Sequence, residues 1–281
     1  MCIRDSVIVV GIPFLRGTSN TKLLRVASIR WVEFAIELIG RMWLKVWLII
    51  LGFDSKNRVI GLSSVHWGKV ASKMKAEVKF YDCNDNHLAF SEPPPWAKLN
   101  IKQFLQTADF AFYVSPELGD YVKNLYPIKK SYLLGNGVEF DHFASPKPKP
   151  QLLRQFNKPI LGYAGAMDWL DVDLLYDIAI KFRNCEVVLI GPEFSDSWRN
   201  KRELIDGLKN VHYLGKVSYS ELPAYVQQFK VALIPFICNE LTRPLNPNKL
   251  YEYCAAGCPV VSMNYSSTPV SYTHLRAHET S

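Results

Sequence analysis

A lysine and a glutamate near the end of the chain have the types and spacing expected of a nucleotide-binding pair. They belong to the segment PNKLYE at 247–252, where Pro247 suits the first turn of a helix. Residues three apart share a helix face, so the ammonium of Lys249 and the carboxylate of Glu252 can act together. At a helix start, such a pair can bind the phosphate and the ribose of a nucleotide. The alternative is a surface ion pair that binds no ligand.

A glycine-containing segment, GYAG at 162–165, provides a second candidate contact for a phosphate. Glycine has no Cβ, so a ligand can approach the backbone closely at Gly165. The segment matches neither a GxGxxG motif nor a P-loop. A structural turn is therefore the alternative explanation.

Alternating strands and helices in the C-terminal half predict a parallel sheet covered on both faces. The predicted strands are 160–164, 186–190, 211–214, 231–235 and 260–263, and the predicted helices are 171–182, 198–208, 220–229 and 247–256. Ligands of such sheets bind at the carboxyl ends of the strands. We therefore expect Gly165 and Lys249 at the ligand-binding edge.

The N-terminal half is less regular. Its predicted strands are 7–10, 58–65, 78–81, 110–114 and 133–136, with helices at 23–51 and 96–107. The long helix, in one piece or broken at Gly40, mixes Trp, Leu and Ile with Lys and Arg, so it either faces the core or docks on a membrane surface. The proline-rich segment 146–150 predicts a linker. The predicted domains are therefore 7–145 and 156–269, joined by the linker 146–155.

Composition and charge limit the class of protein. The chain has 281 residues, 48% hydrophobic and 21% charged, which excludes a disordered, collagen-like or coiled-coil protein. Residues 7–150 hold 19 basic and 12 acidic side chains of a total net charge of +7. This excess indicates an acidic partner of that half, such as phospholipid, a phosphorylated substrate or nucleic acid, or simply a solvated basic surface. The cysteines lack zinc spacing, which favours a reduced cytosolic protein, and no transmembrane span is predicted.

Both ends of the chain resemble translated sequencing adaptors. Residues 1–6, MCIRDS, resemble the translation of a transposon end used in library preparation, and 270–280 resemble the reverse complement of that end followed by its adaptor. We therefore expect 1–6 and 270–281 to be adaptor-derived and the natural protein to continue beyond both. An ordinary start and tail is the alternative.

Three segments carry a resemblance to a protein family. Residues 235–261, 134–143 (LGNGVEFDHF) and 161–165 resemble family 4 type glycosyltransferases, and the likeness covers most of 78–269. It implies the α/β GT-B fold with two Rossmann-like domains, both truncated here. It also implies a nucleotide-sugar donor, UDP- or GDP-linked, held mainly by the C-terminal domain, and an acceptor approached by the N-terminal one. Transfer with retention of configuration, without an essential metal or other cofactor, is implied as well.

The resemblance assigns roles to individual residues. Glu252 matches the second glutamate of the family's E-x7-E motif, which holds the donor ribose, whereas the position of the first glutamate is Pro244. The family's usual Arg and Lys after the first strand of this domain are absent, because Gly165 is followed by AMDW. Arg243 and Lys249 are therefore the candidates to offset the diphosphate charge.

In the N-terminal half, the segment YDCNDNH at 81–87 resembles the family's loop after a central strand. His87 and Asp85 are the predicted catalytic residues, which would orient the acceptor hydroxyl or stabilise the transition state. Turn formation by Asp and Asn side chains is the alternative. Asn136 matches a family turn for which a structural role is expected.

The sequence therefore predicts a cytoplasmic, peripherally membrane-associated bacterial glycosyltransferase. Its expected partners are a nucleotide sugar, a polysaccharide, lipid-linked or other glycoconjugate acceptor, and an anionic membrane surface, but no nucleic acid. Two alternatives stay open: a GT-B nucleotide-sugar epimerase, and a nucleotide-binding or membrane-scaffolding module without turnover. With both domains truncated, the chain by itself is expected to be inactive.

Overall fold

The computed structural model describes residues 29–53, 58–89 and 96–264. The chain divides into two compact units between Leu134 and Gly135. The predicted strand at 7–10 and both adaptor-like ends lie outside the described residues.

The first unit contains a parallel sheet with strand order β1-β2-β3-β4. Its elements are α1 (Arg30–Ile50), β1 (Val59–Leu62), α2 (Gly68–Ser72), β2 (Val78–Cys83), α3 (Ala97–Leu105), β3 (Phe110–Tyr113), α4 (Pro116–Leu125) and β4 (Ser131–Leu133). Its core packs one face of the sheet, including Tyr81 and Ala111, against helix residues such as Ile101, Phe104 and Val122.

Helix α1 runs without a break through Gly40, so the described part of the predicted 23–51 segment is one helix. The glycine has a packing reason, because a Cβ there would lie 3.1 Å from Cζ3 of Trp67. Within the described ranges, no helix combines the length and the apolar character needed to cross a bilayer.

The second unit contains a five-stranded parallel sheet with strand order β7-β6-β5-β8-β9. Its elements are α5 (Phe140–Ala144), β5 (Ile160–Ala164), α6 (Val172–Lys181), β6 (Glu186–Ile190), α7 (Asp196–Asp206), β7 (Val211–Tyr213), α8 (Leu222–Val226), β8 (Val231–Ile234), α9 (Asn248–Ala255) and β9 (Val260–Ser262). The central strand β5 is buried throughout, as expected of a parallel strand covered on both faces.

Side-chain caps fix where two helices of this unit begin. The Asp171 carboxylate accepts a hydrogen bond from the Leu174 amide (3.1 Å) at the start of α6. The Ser195 hydroxyl accepts one from the Trp198 amide (3.3 Å) at the start of α7. These bonds satisfy amides that a helix start otherwise leaves without partners, and they hold α6 and α7 in register with the strands before them.

The division between the units falls before the predicted linker at 146–155. The difference has a physical cause, since Gln227 binds the backbone around the proline-rich segment. Its side-chain amide donates to the carbonyls of Phe143 and Ser145, both at 2.8 Å, and its carbonyl accepts from the Lys147 amide at 2.9 Å. Residues 140–147 are thereby part of the second unit.

Candidate functional site

Three glycines follow three adjacent strands at the carboxyl edge of the second sheet. Gly165, Gly191 and Gly215 follow β5, β6 and β7, and all have positive φ values of +155°, +147° and +73°. The Gly165 amide donates to the Ile190 carbonyl (2.8 Å), and the Gly191 amide donates to the Gly215 carbonyl (2.9 Å). A Cβ on Gly191 would lie 1.9 Å from the Gly165 carbonyl oxygen. The turns at Gly165 and Gly191 are therefore packed backbone against backbone, and position 191 has no room for a side chain.

Lys249 lies at this edge, beside Gly165. Helix α9 begins after Pro247, so Lys249 is in its first turn. Its Nζ is 4.9 Å from the ring centroid of Phe236 and 5.6 Å from that of Tyr163. A Cβ on Gly165 would lie 2.7 Å from Cε of Lys249 and 3.0 Å from its Nζ. The structure thus brings together two of the predicted donor-binding residues.

Among the described residues, no carboxylate lies at ion-pair distance from the ammonium of Lys249. Burial lowers its pKa to about 8, an effect that the Glu252 charge opposes. The two residues share a helix face but are not close enough for an ion pair. Aromatic ring faces attract a cation but replace only part of its lost hydration. An anionic ligand at this edge would supply the missing counter-charge.

Glu252, one turn further along α9, is half-buried next to α5. Burial raises the pKa of its carboxyl group, and the charges of Lys249 and His142 oppose that rise. His142 comes from α5 and stacks on the ring of Tyr219, with 4.8 Å between ring centroids. The His142 Nε2 also lies 3.0 Å from the Tyr219 carbonyl oxygen. Glu252 therefore has a protein neighbour, His142, that sequence reasoning missed.

Tyr253 attaches α9 to the central strand. Its buried hydroxyl accepts a hydrogen bond from the Ala164 amide (2.8 Å) and lies 3.2 Å from the Ala164 carbonyl, to which it donates. Ala164 directly precedes Gly165, so this pair of bonds sets the distance between the helix and the glycine turn. The sequence gives no local signal for a contact between residues so far apart in the chain.

Arg243 is placed differently from Lys249. The loop after β8 is folded by Asn239, whose side-chain oxygen accepts from the amides of Leu241 (2.9 Å) and Thr242 (3.0 Å). Thr242 is buried, and Arg243 is exposed. The described residues contain no contact that joins the Arg243 guanidinium to the pair of Gly165 and Lys249. Pro244, at the position expected for the first glutamate, is buried.

The predicted catalytic residues lie in the first unit, after β2. Nε2 of His87 is 3.1 Å from the side-chain oxygen of Asn84. Asp85 accepts from the Asn86 amide at 2.8 Å, a bond to the next residue and not to the residue two positions on that an Asx turn requires. Burial raises the pKa of Asp85, while the Asn86 hydrogen bond and the His87 charge oppose that rise. Burial likewise raises the pKa of the neighbouring Asp82.

Solved structures define the class of fold. A sucrose-phosphate synthase from Thermosynechococcus elongatus superposes with a TM-score of 0.64 at 15% identity, over 85% of this chain and 63% of its own. Anabaena Alr3699/HepE, in complex with UDP-glucose, gives 0.61 at 14% identity, over 76% and 61%. The two parallel α/β sheets are those of the GT-B fold, as the sequence predicted.

Sequence comparisons give a narrower class of similar proteins than the fold does. Residues 158–275 match the family described as Glycosyl transferases group 1. A curated relative is TuaH of Bacillus subtilis (strain 168), named as a teichuronic acid biosynthesis glycosyltransferase, which is 28% identical over 143 residues. That alignment covers 50% of this chain and 36% of TuaH, so the chain spans much less than the full length of this relative. Over part of its length the chain is thus similar to glycosyltransferases of the group 1 type.

Proposed function

We propose that the protein transfers a sugar, with retention of configuration, from a UDP- or GDP-linked donor to a polysaccharide, lipid-linked or other glycoconjugate acceptor. One observation carries the proposal: a lysine ammonium, with no ion-pair partner among the described residues, lies against Gly165 at the carboxyl edge of a parallel sheet. This is where α/β sheets bind phosphorylated ligands, and a diphosphate supplies the missing negative charge.

The donor contacts follow from this placement. Lys249 offsets the charge that develops on the diphosphate leaving group as the glycosidic bond breaks. Gly165 has no Cβ, which would lie 2.7 Å from Cε of Lys249, so the lysine side chain can lie against the backbone at the end of β5. Glu252 accepts hydrogen bonds from the ribose hydroxyls, and the exposed Arg243 provides a second cation from the loop after β8. The nucleotide sugar is a co-substrate in this proposal.

On the acceptor side we propose that His87 and Asp85 orient the accepting hydroxyl group. The raised pKa values of Asp82 and Asp85 and the presence of His87 give this loop groups able to exchange protons. The name of TuaH supports an acceptor in cell-surface polysaccharide synthesis, and the UDP-glucose bound to HepE supports a nucleotide-sugar donor.

We also propose a peripheral location at the cytoplasmic face of the plasma membrane. The excess of basic residues in the N-terminal half supports it, because inner membrane leaflets carry anionic lipids. An acceptor attached to a lipid would be reached from that position.

Calorimetric titration with UDP and with GDP tests the donor site. One of the two is expected to bind, and Lys249→Ala is expected to weaken that binding by at least about 10-fold, the size of one charge-assisted contact. Lys181→Ala, an exposed lysine in the last turn of α6, removes the same charge elsewhere and should leave affinity unchanged. The proposal is wrong if neither nucleotide binds.

Turnover assays with nucleotide sugars separate the remaining functions. Transfer of sugar to an added lipid or glycan acceptor is the expected result for the whole protein. Sugar release or isomerisation without an acceptor product would instead indicate an epimerase. Nucleotide binding without any turnover would indicate a binding module.

A further inference from the structure

Helix α1 carries an exposed apolar face in the first unit. Trp31 is 81% exposed, Ile49 78%, Ile50 64%, Met42 60% and Phe34 59%. The opposite face holds the buried Ile36 and Glu37. A helix with one wide apolar face open to solvent is typical of elements that lie in a membrane interface or against a partner.

A basic cavity adjoins the C-terminal end of that face. Its volume is about 770 Å³. Of the described residues that line it, five are basic and none is acidic: Arg41, Lys45, Arg58, Lys73 and Lys75. Met42, Ile49 and Phe53 line the same cavity, and each is also exposed. The cavity is therefore cationic within and continuous with the apolar face.

Little of this positive charge is neutralised by the described residues. Lys73 is 3.3 Å from Glu37, a carboxylate that also pairs with Lys69 at 2.5 Å. The Arg58 guanidinium donates to the carbonyls of Phe53 (2.9 Å) and Lys75 (3.2 Å), and no carboxylate of the described residues lies at ion-pair distance from it. Arg41, Lys45 and Lys75 have no carboxylate at ion-pair distance within the described ranges.

We infer that α1 and this cavity form a docking site for anionic phospholipid. The head-group phosphate occupies the basic cavity, and the apolar face of α1 enters the boundary between head groups and acyl chains. A soluble phosphate would match only the cavity, whereas a bilayer matches the cavity and the apolar face together. The inference rests on the peripheral location proposed above, but it is independent of glycosyl transfer.

Vesicle co-sedimentation tests the site. We expect the chain to bind vesicles that contain phosphatidylglycerol, to bind phosphatidylcholine vesicles weakly, and to lose binding as ionic strength rises. Arg41→Gln combined with Lys45→Gln should weaken binding about 25-fold, at about 5-fold for each cation near an anionic surface. Lys181→Gln with Lys209→Gln removes the same charge from exposed positions of the second unit and should have little effect.

A separate variant tests the apolar face of α1. Ile49→Gln should weaken vesicle binding about 10-fold, because the side chain of Ile49 would leave water on docking. Circular dichroism checks that α1 stays helical in each variant, and UDP and GDP titration shows whether the donor site is intact. Retained nucleotide affinity with lost vesicle binding separates this inference from the proposed glycosyl transfer.

Three outcomes would overturn the inference. The first is equal binding of neutral and anionic vesicles. The second is binding of glycerol phosphate in solution without any binding of vesicles, which would make the cavity a site for a soluble ligand. The third is a dimer in the absence of lipid that Ile49→Gln dissociates, which would make the face a subunit interface.

Discussion

At the scale of single residues, the burial of Lys249 should make the stability of the folded chain depend on pH. Its ordinary pKa of 10.5 is lowered by burial to about 8 in the folded chain. Between these values the unfolded chain binds more protons than the folded chain, so stability should rise with pH across that window. Below it, the folded chain carries the full cost of a buried ammonium. Any ligand contact that Lys249 makes would therefore come at a cost in stability.

Lys249→Met tests this directly. We expect the variant to be more stable than the parent at neutral pH, on the order of 2 kcal/mol. The gain should shrink as pH rises from about 8 toward 10.5, where the parent lysine becomes neutral. Denaturant unfolding across this pH range measures both effects. Lys181→Met serves as the matched control, and a variant less stable than the parent at neutral pH would contradict the argument.

A separate prediction concerns the proposed contact between Glu252 and the ribose of the donor. Replacing its carboxylate by an amide removes the negative charge that strengthens hydrogen bonds from hydroxyl groups. Glu252→Gln should therefore weaken binding of the favoured nucleoside diphosphate about 10-fold. The same change should hardly affect an analogue that lacks both ribose hydroxyls. Titration of both ligands checks this, with the exposed Glu203→Gln as control, and equal losses for the two would exclude a ribose contact.

At the scale of elements, the turn after β6 depends on having no side chain at Gly191. An alanine Cβ there would lie 1.9 Å from the Gly165 carbonyl oxygen, and φ is +147°. Both the clash and the backbone conformation oppose the substitution. We expect Gly191→Ala to destabilise the chain by more than about 3 kcal/mol and to abolish nucleotide binding. Gly207→Ala, where nothing lies within 4 Å, should be nearly neutral in the same unfolding experiment.

Local signals predicted most of the elements but not all of them. Helix α4 was missed although Ser115 caps it, accepting from the Leu118 amide at 3.3 Å, and Pro116 occupies its first turn. That is the usual signature of a helix start. Helix α5 is too short for a periodic pattern, so the contribution of His142 beside Glu252 was also missed. A short helix such as α5 is recognised only from its tertiary neighbours. A helix such as α4 can be recognised from its capping residues.

The candidate site likewise combines placements that the sequence predicts with contacts that it does not. Gly165 and Lys249 could be placed at one edge because parallel strands end on the same side of a sheet. The bonds from Tyr253 to Ala164 and the packing of Gly191 on Gly165 join distant parts of the chain, and no local pattern encodes them. The position of Arg243 could not be predicted from the sequence, because the turn formed by Asn239 and Thr242 sets the course of the loop that carries it.

At the scale of the whole molecule, each unit has its own core. The first unit has a cluster that includes Tyr81, Phe104 and Val122, and the second has a larger one that includes Tyr163, Leu175 and Phe236. Among the described residues, each of these clusters lies within one unit, so the clusters follow the division between Leu134 and Gly135. Domains with separate cores usually unfold as separate cooperative units. The candidate donor residues belong to the second unit, whereas the basic cavity and the apolar face of α1 belong to the first.

Scanning calorimetry of the intact chain should therefore show two unfolding transitions. A saturating nucleoside diphosphate should raise only the transition of the second unit, by about 2.7 kcal/mol in free energy at 100 times the dissociation constant. Gly191→Ala identifies that transition, because it should lower one midpoint and leave the other in place. Anionic vesicles should instead act on the remaining transition. A single transition that shifts as a whole with either ligand would show that the two units unfold together, and the two binding sites would then be coupled through the stability of the entire chain.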